Sequence, residues 1–137
     1  MRKKLFRPAA SVGAFILFSV LLKGQSNLNI NQLESLLASD KTVQVVDVRT
    51  PGEIQQTGKI AGAWEINYAA PDFAEKIRHL DRKRPVVLYC ASGGRSTRAA
   101  AQLVQMGFAK VYNYTGGMYE WKALRKPTVP AGDKTKP

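Results

Sequence analysis

Apolar residues along this chain fall into two repeating patterns, which predict alternating strands and helices. Short runs rich in β-branched residues, such as Val43 to Val48, are typical of strands buried on both faces of a parallel sheet. Between these runs, apolar residues recur at the spacing of one helix face. Strands alternating with helices predict an α/β layer fold with right-handed crossovers.

The limits of these elements follow from caps, turns and breaks in the pattern. Strands are predicted at 27–30, 43–48, 63–67, 85–89 and 109–112, and helices between 31 and 40, 71 and 80, 96 and 106, and 118 and 124. Asn31 is the expected cap of the first helix, and Gly107 the expected end of the third. Pro51-Gly52 predicts a turn after the second strand, and two glycines suit a tight bend at 58–63.

The chain divides into an N-terminal segment (1–26), one domain (27–126) and a basic tail (127–137) that we expect to be disordered. A basic start and the apolar run from Ala9 to Leu22 have the composition of an export signal. Fourteen helical residues would cover about 21 Å, short of a bilayer core of roughly 30 Å, which favours a signal peptide over a full span. No Ala-x-Ala follows, so an uncleaved anchor and a buried core helix stay open. We expect the domain to lie in the periplasm or on a membrane anchor outside the cytoplasm, with membrane contact through this segment alone.

The net charge of +11 is concentrated at the two ends of the chain. Residues 1–23 carry +5 and residues 122–137 carry +4, which leaves +2 for the 98 residues between them. A domain so nearly balanced lacks the basic stripe with interleaved aromatic residues that nucleic-acid binding requires. We therefore expect no nucleic-acid partner.

Cys90 is the only cysteine of the chain, and it separates a predicted strand from a predicted helix. This position places the thiol above the helix N-terminus, where free amides and the helix dipole favour the thiolate. Gly93 and Gly94 let the loop amides turn inward, Arg95 adds a positive charge at the rim, and Ser96 is placed to cap the helix or to donate to the sulfur. The pattern predicts a nucleophilic thiol in an anion-binding loop, and the alternative is a small buried apolar residue at a strand end.

One cysteine and one histidine exclude an internal disulfide and make a metal site improbable. We expect neither a metal nor a cofactor. The single histidine, His79, is expected on a helix surface beside Arg78.

Four motifs in register resemble the single-domain rhodanese (thiosulfate sulfurtransferase-like) family. They are Val46-Asp47-Val48-Arg49-Thr50-Pro51-Gly52-Glu53, Ile60-Ala61-Gly62-Ala63, Cys90-Ala91-Ser92-Gly93-Gly94-Arg95-Ser96, and Gly116-Gly117 with Trp121. The resemblance implies a three-layer α/β/α fold with a five-stranded parallel sheet. It also implies a sulfurtransferase in which Cys90 takes a sulfane sulfur from a small anion, such as thiosulfate or a persulfide, and passes it to a thiol or cyanide. The site residues would then be Cys90 as catalytic residue and Ala91, Ser92, Gly93, Gly94, Arg95 and Ser96 as the anion-binding loop.

The chain departs from the family's pattern at Gly58-Lys59-Ile60, where many relatives have Gly-His-Ile. One extra residue precedes Gly58, and we expect Lys59 on the surface. Asp47 and Arg49 support the site either chemically or, as we favour, by pairing with each other or with loop amides. Glu53 is expected to be a structural partner.

Other functions of a strand–cysteine–loop–helix unit stay open. Cysteine phosphatases and arsenate reductases place five residues between cysteine and arginine, whereas four residues separate Cys90 from Arg95. The shorter loop suits a single sulfur better than phosphate. A disulfide oxidoreductase would need a resolving cysteine. The alternative of a different kind is a rhodanese-like sulfur carrier or docking module without turnover.

We expect the protein to be a monomer.

Overall fold

The computed structural model describes residues 3–4 and 24–135, so most of the expected signal or anchor segment, 1–26, lies outside the described residues. In chain order the described part forms β1 (Ser26–Leu28), α1 (Ile30–Ser39), β2 (Gln44–Asp47), α2 (Pro51–Thr57), β3 (Trp64–Glu65), α3 (Phe73–Ile77), β4 (Val86–Tyr89), α4 (Gly94–Gln105), β5 (Val111–Tyr114) and α5 (Gly117–Ala123). None of these helices is long and apolar enough to cross a membrane.

The five strands form one parallel sheet in the order β1-β5-β4-β2-β3, which confirms the expected fold class. All residues of β2 and β4 are buried, as continuous apolar runs predict for the inner strands of a parallel sheet. Asp47 at the end of β2 lies beside Tyr89 at the end of β4. The segments that carry Arg49 and Cys90 therefore leave the sheet at the same edge, where α/β folds place their ligand sites.

Alternate residues of the strands separate the core into two apolar layers, one on each face of the sheet. Val46 and Leu88 pack with α3 and α4 on one face, and Val45 and Val87 pack with α1 and α5 on the other. Because side chains alternate along a strand, a single buried strand supplies both layers. The result is a three-layer α/β/α arrangement that holds β4 at its centre.

Helix α2 replaces the simple Pro-Gly turn that the sequence predicted after β2. Thr50 accepts a hydrogen bond from the amide of Glu53, and the Glu53 side chain accepts one from the amide of Thr50, which is a complete capping box. Pro51 occupies the first turn, where a proline costs no hydrogen bond. The prediction was wrong because Pro-Gly was interpreted as a turn signal, although the Thr-x-x-Glu around it starts a helix.

Most other element limits differ from the predictions by one to three residues. The cap of α1 is Asn29 and not Asn31: the side chains of Asn29 and Gln32 form a complete capping box, and the helix already begins at Ile30. Helix α4 begins at Gly94, two residues before the predicted start. Strand β5 begins at Val111 instead of Ala109, and α3 is shorter than its apolar spacing indicated.

The first part of the C-terminal tail contacts the domain, which differs from the expected disorder. Val129 and Lys59 exchange two backbone hydrogen bonds of 2.9 Å, and Gly132 donates its amide to Glu65. The side chain of Lys59 is consequently buried and not on the surface. Its Nζ donates to the carbonyl of Ala63 at 2.8 Å and to Oε2 of Glu65 at 3.0 Å, which compensates the burial of its charge.

Candidate active site

Cys90 follows the last residue of β4 and is 1% exposed. The loop after it needs only three residues to reach α4, and Gly93 makes the turn with a φ of 94°. A Cβ on Gly93 would lie 2.9 Å from the carbonyl oxygen of Thr115, so this position requires glycine for its φ and for its space. The sulfur is thereby held at the N-terminus of the helix that follows.

Donor groups of the loop and of the first turn of α4 approach the sulfur atom of Cys90. The amide of Gly93 donates to Sγ at 3.1 Å, and Oγ of Ser96 lies 3.4 Å from it. Burial raises the pKa of the thiol, but hydrogen bonds from the Ser96 side chain and from the amides of Ser96, Ser92 and Gly93 outweigh it, so the pKa lies below its usual value. The geometry therefore favours an anionic sulfur, as the sequence predicted.

The start of α5 fixes the outer side of the same loop. The amide of Met118 donates to the carbonyl of Cys90 at 2.8 Å, and that of Tyr119 donates to the carbonyl of Ala91 at 3.1 Å. Gly117 makes this approach possible, because a Cβ there would lie 2.5 Å from the carbonyl oxygen of Ala91. The Gly-Gly-containing motif near the C-terminus thus serves the loop that contains the cysteine.

Arg95 forms an ion pair with Glu53 of α2. Its two terminal nitrogens donate to the two carboxylate oxygens at 2.7 Å each, which is the bidentate geometry of arginine and carboxylate. These hydrogen bonds lower the pKa of Glu53 to about 2, against the opposing effect of burial. Glu53 is a structural partner, as expected. Its carboxylate balances the positive charge of Arg95 at the rim of the loop.

Asp47 and Arg49 form a buried pair at the carboxyl end of β2. The guanidinium contacts both carboxylate oxygens, at 2.6 Å for the shortest contact, and also donates to Thr57 and to the carbonyl of Gly58. With exposures of 0% and 2%, the two side chains connect the end of β2 to the end of α2. This geometry favours the structural role over direct participation in chemistry.

Two residues near the loop had no signal in the sequence. Thr97 donates its hydroxyl to the carbonyl of Gly93 at 2.7 Å and accepts from the amide of Asn113 at 2.8 Å. Thr97 is one polar residue in an exposed helix turn, and Asn113 is an isolated polar residue of a strand. Only the packing of α4 on β5 brings them together, so no local pattern could have identified them.

No group of three or more His, Cys, Asp and Glu residues within 24–135 is arranged to bind a metal ion. His79 is exposed and lies in the turn after α3, not on the helix itself.

The sequence model described as "Rhodanese-like domain" matches residues 29–124. A sulfurtransferase from Allochromatium vinosum is 37% identical over 106 residues, which cover 76% of this chain and 94% of that protein. The thiosulfate sulfurtransferase GlpE of Pseudomonas aeruginosa strain LESB58 is 35% identical over 91 residues, covering 66% of this chain and 79% of that protein.

Among solved structures, the polysulfide-sulfur transferase homodimer of Wolinella succinogenes is similar, with a TM-score of 0.67 and 25% identity. The match covers 79% of this chain and 80% of that one. The family match thus extends from α1 to α5 and is not confined to the loop.

Proposed function

Because this chain belongs to the rhodanese-like domain family, we propose that Cys90 carries the transferred sulfur as a persulfide. The chain is a rhodanese-type sulfurtransferase, with a sulfur donor and a sulfur acceptor as its substrates. The observation that supports Cys90 as the carrier is its buried sulfur, which accepts a hydrogen bond from Gly93 and adjoins the Ser96 hydroxyl. These donors stabilise negative charge at the position where both a thiolate and a persulfide would carry it.

We propose thiosulfate as a donor, with a reaction in two displacements. The Cys90 thiolate attacks the outer sulfur of thiosulfate, the sulfur–sulfur bond of the donor breaks, and sulfite leaves with the electron pair. The outer sulfur of the resulting persulfide is then attacked by a thiolate or by cyanide. The new sulfur–acceptor bond forms, the bond to Cys90 breaks, and the thiolate is regenerated, so no external oxidant or reductant is needed.

An intact-mass measurement after thiosulfate treatment tests the persulfide. The wild type is expected to gain the mass of one sulfur atom, which is lost again when cyanide is added, with formation of thiocyanate. Cys90→Ser is expected to gain nothing, because the chain then has no thiol. A wild type that stays unmodified would contradict the proposal.

Two assays distinguish this function from its alternatives. A sulfur carrier or docking module without turnover would gain one sulfur but release no more than one thiocyanate per chain. A cysteine phosphatase would release phosphate from an aryl phosphate, and release without thiocyanate formation would overturn sulfur transfer. The four-residue spacing between Cys90 and Arg95 supports sulfur transfer over phosphate chemistry.

We also propose that the domain works outside the cytoplasm as a monomer. The basic, then apolar, composition of residues 1–23 supports the location. Cell fractionation with determination of the mature N-terminus tests the location, and light scattering of the purified chain tests the monomer. Full-length protein found only in the cytosol, or a stable dimer, would contradict these expectations.

A further inference from the structure

Two side chains from α4 and β5 form a relay of hydrogen bonds that ends at the active-site loop. Asn113, which is fully buried, donates its side-chain amide to Oγ1 of Thr97 at 2.8 Å. Thr97 donates its hydroxyl proton to the carbonyl of Gly93 at 2.7 Å. The relay connects the sheet to the residue whose own amide donates to the Cys90 sulfur at 3.1 Å.

The direction of this relay is fixed by chemistry. A carbonyl can only accept, so the single hydroxyl proton of Thr97 is used on Gly93, and Asn113 must donate to Thr97. The other side-chain atom of Asn113, Oδ1, has no hydrogen-bond partner among the described residues. Burying that oxygen unpaired is unfavourable, and an apolar residue would avoid it. The side chain therefore contributes through its donor.

Ser96 lies between two acceptors but has one hydroxyl proton to give. Its Oγ is 3.2 Å from the carbonyl of Gly93 and 3.4 Å from the sulfur of Cys90. The Gly93 carbonyl already accepts from the amide of Thr97 at 3.0 Å and from its hydroxyl at 2.7 Å. Two donors satisfy the two lone pairs of a carbonyl, so Ser96 is not needed there.

We propose that Thr97, oriented by Asn113, is a positioning residue that saturates the Gly93 carbonyl and so reserves the Ser96 proton for the sulfur of Cys90. This inference rests on the proposed function in that the anionic sulfur is the reacting form. Without the Thr97 hydroxyl, Ser96 turns to the Gly93 carbonyl and the thiolate loses a donor. The same relay limits rotation of the Gly93 peptide, which as glycine has no side chain to restrict it.

The test is the pH dependence of Cys90 alkylation by iodoacetamide in the full chain. Only the thiolate reacts, so the midpoint of the rate profile reports the thiol pKa without any sulfur transfer. Thr97→Val keeps the shape of the side chain but removes the hydroxyl, and it is expected to raise the midpoint by about one pH unit, or about tenfold less thiolate below it. Thr97→Ser is expected to retain the wild-type midpoint.

A second pair of variants tests the route through Ser96. In a Ser96→Ala background, the further change Thr97→Val is expected to shift the midpoint little, because the proton it redirects is already gone. Asn113→Leu is expected to shift the midpoint in the same direction as Thr97→Val. Thermal unfolding verifies that each variant is folded, and the exposure of Thr97 favours this for Thr97→Val.

An unchanged midpoint in folded Thr97→Val would overturn the proposal, as would an equal shift with and without Ser96. These outcomes are independent of the persulfide. If thiosulfate adds no sulfur to the wild type while Thr97→Val still shifts the alkylation midpoint, the proposed function fails and the positioning role stands. If thiosulfate adds a sulfur to the wild type but Thr97→Val leaves the alkylation midpoint unchanged, the positioning role fails and the proposed function stands.

Discussion

At the scale of single residues, two ion pairs near the candidate site differ in their exposure to solvent. Asp47 and Arg49 are buried, so each charge depends on the other for its stability in the core. Glu53 and Arg95 are each about a third exposed, and solvent screens their attraction. The first pair therefore affects mainly the stability of the fold, whereas the second affects the charge at the entrance of the loop.

Removing one member of the buried pair is expected to leave an uncompensated charge. Arg49→Met should lower the free energy of unfolding by about 3–5 kcal/mol, measured by urea denaturation. Asp47→Asn combined with Arg49→Met should lower it by less than the sum of the single changes, since neither charge remains. Strictly additive effects would contradict the pairing, and lost activity in a fully folded Arg49→Met would favour a chemical role for Arg49.

The exposed pair makes a pH-dependent contribution. The hydrogen bonds from Arg95 lower the pKa of Glu53 from its ordinary 4.5 to about 2. Because the folded pKa is the lower one, the stabilisation is present above about pH 4.5 and is lost as the pH falls through about 2. At neutral pH, Glu53→Gln should destabilise the protein by less than about 1 kcal/mol, given the screening.

Urea midpoints recorded between neutral and acid pH measure this contribution. The difference between wild type and Glu53→Gln should shrink towards zero in acid. Glu75→Gln is the matched control, because the exposed Glu75 side chain makes no ion pair or hydrogen bond within residues 24–135. A difference for Glu53→Gln that stays constant with pH would be inconsistent with the pair.

At the scale of elements, the loop of Cys90 is held by three of them. Strand β4 delivers the cysteine, α4 supplies its own N-terminus, and α5 donates two amides to the loop carbonyls. The contact with α5 is between backbones, which requires an unusually close approach at Gly117. A loop defined from both sides in this way keeps its amides directed at the sulfur without rearranging during reaction.

Gly117→Ala is expected to disturb this contact. Its φ is 61°, and a Cβ would lie 2.5 and 2.6 Å from the carbonyl oxygens of Ala91 and Cys90. We expect a loss of about 1–3 kcal/mol of stability and a decrease of kcat/KM for thiosulfate on the order of ten- to a hundredfold, because the loop must shift. Gly52→Ala, at an open position with ordinary φ, should leave both unchanged or slightly raise stability.

At the scale of the whole molecule, the C-terminal segment, residues 127–132, packs against α5 and the residues that follow α2. Besides the two backbone bonds of Val129, the indole of Trp121 donates to the carbonyl of Pro127 at 2.8 Å. Gly58 lies so close that a Cβ there would be 2.8 Å from the carbonyl oxygen of Val129. This segment covers the buried Lys59 and secures the end of α2.

A chain that ends at Lys126 tests this role. We expect it to lose about 1–3 kcal/mol of unfolding free energy, since several buried groups lose hydrogen-bond partners. The folded fraction should keep its activity with thiosulfate. A chain that ends at Thr135 is the control, because it retains all of these contacts, and equal stability of the two chains would show that the segment contributes nothing.

The sequence by itself determined the fold class and the identity of the nucleophile candidate. Local patterns carry both: β-branched runs alternate with amphipathic segments, and Cys90, Gly93 and Ser96 all lie within seven residues. The element limits were less accurate, and α2 was not predicted, because the Pro-Gly inside its capping box was interpreted as a turn.

Only the tertiary structure decided which distant residues contact each other, at the site and at the C-terminal segment. The pairs Arg95 with Glu53, Thr97 with Asn113, and Lys59 with Val129 are 42, 16 and 70 residues apart in the chain. The physical reason is that hydrogen bonds depend on distances set by the packing of helices on the sheet, whereas periodicity and turn chemistry report only on near neighbours. For the same reason the sequence placed Lys59 on the surface, and the contact with the C-terminal segment buries it.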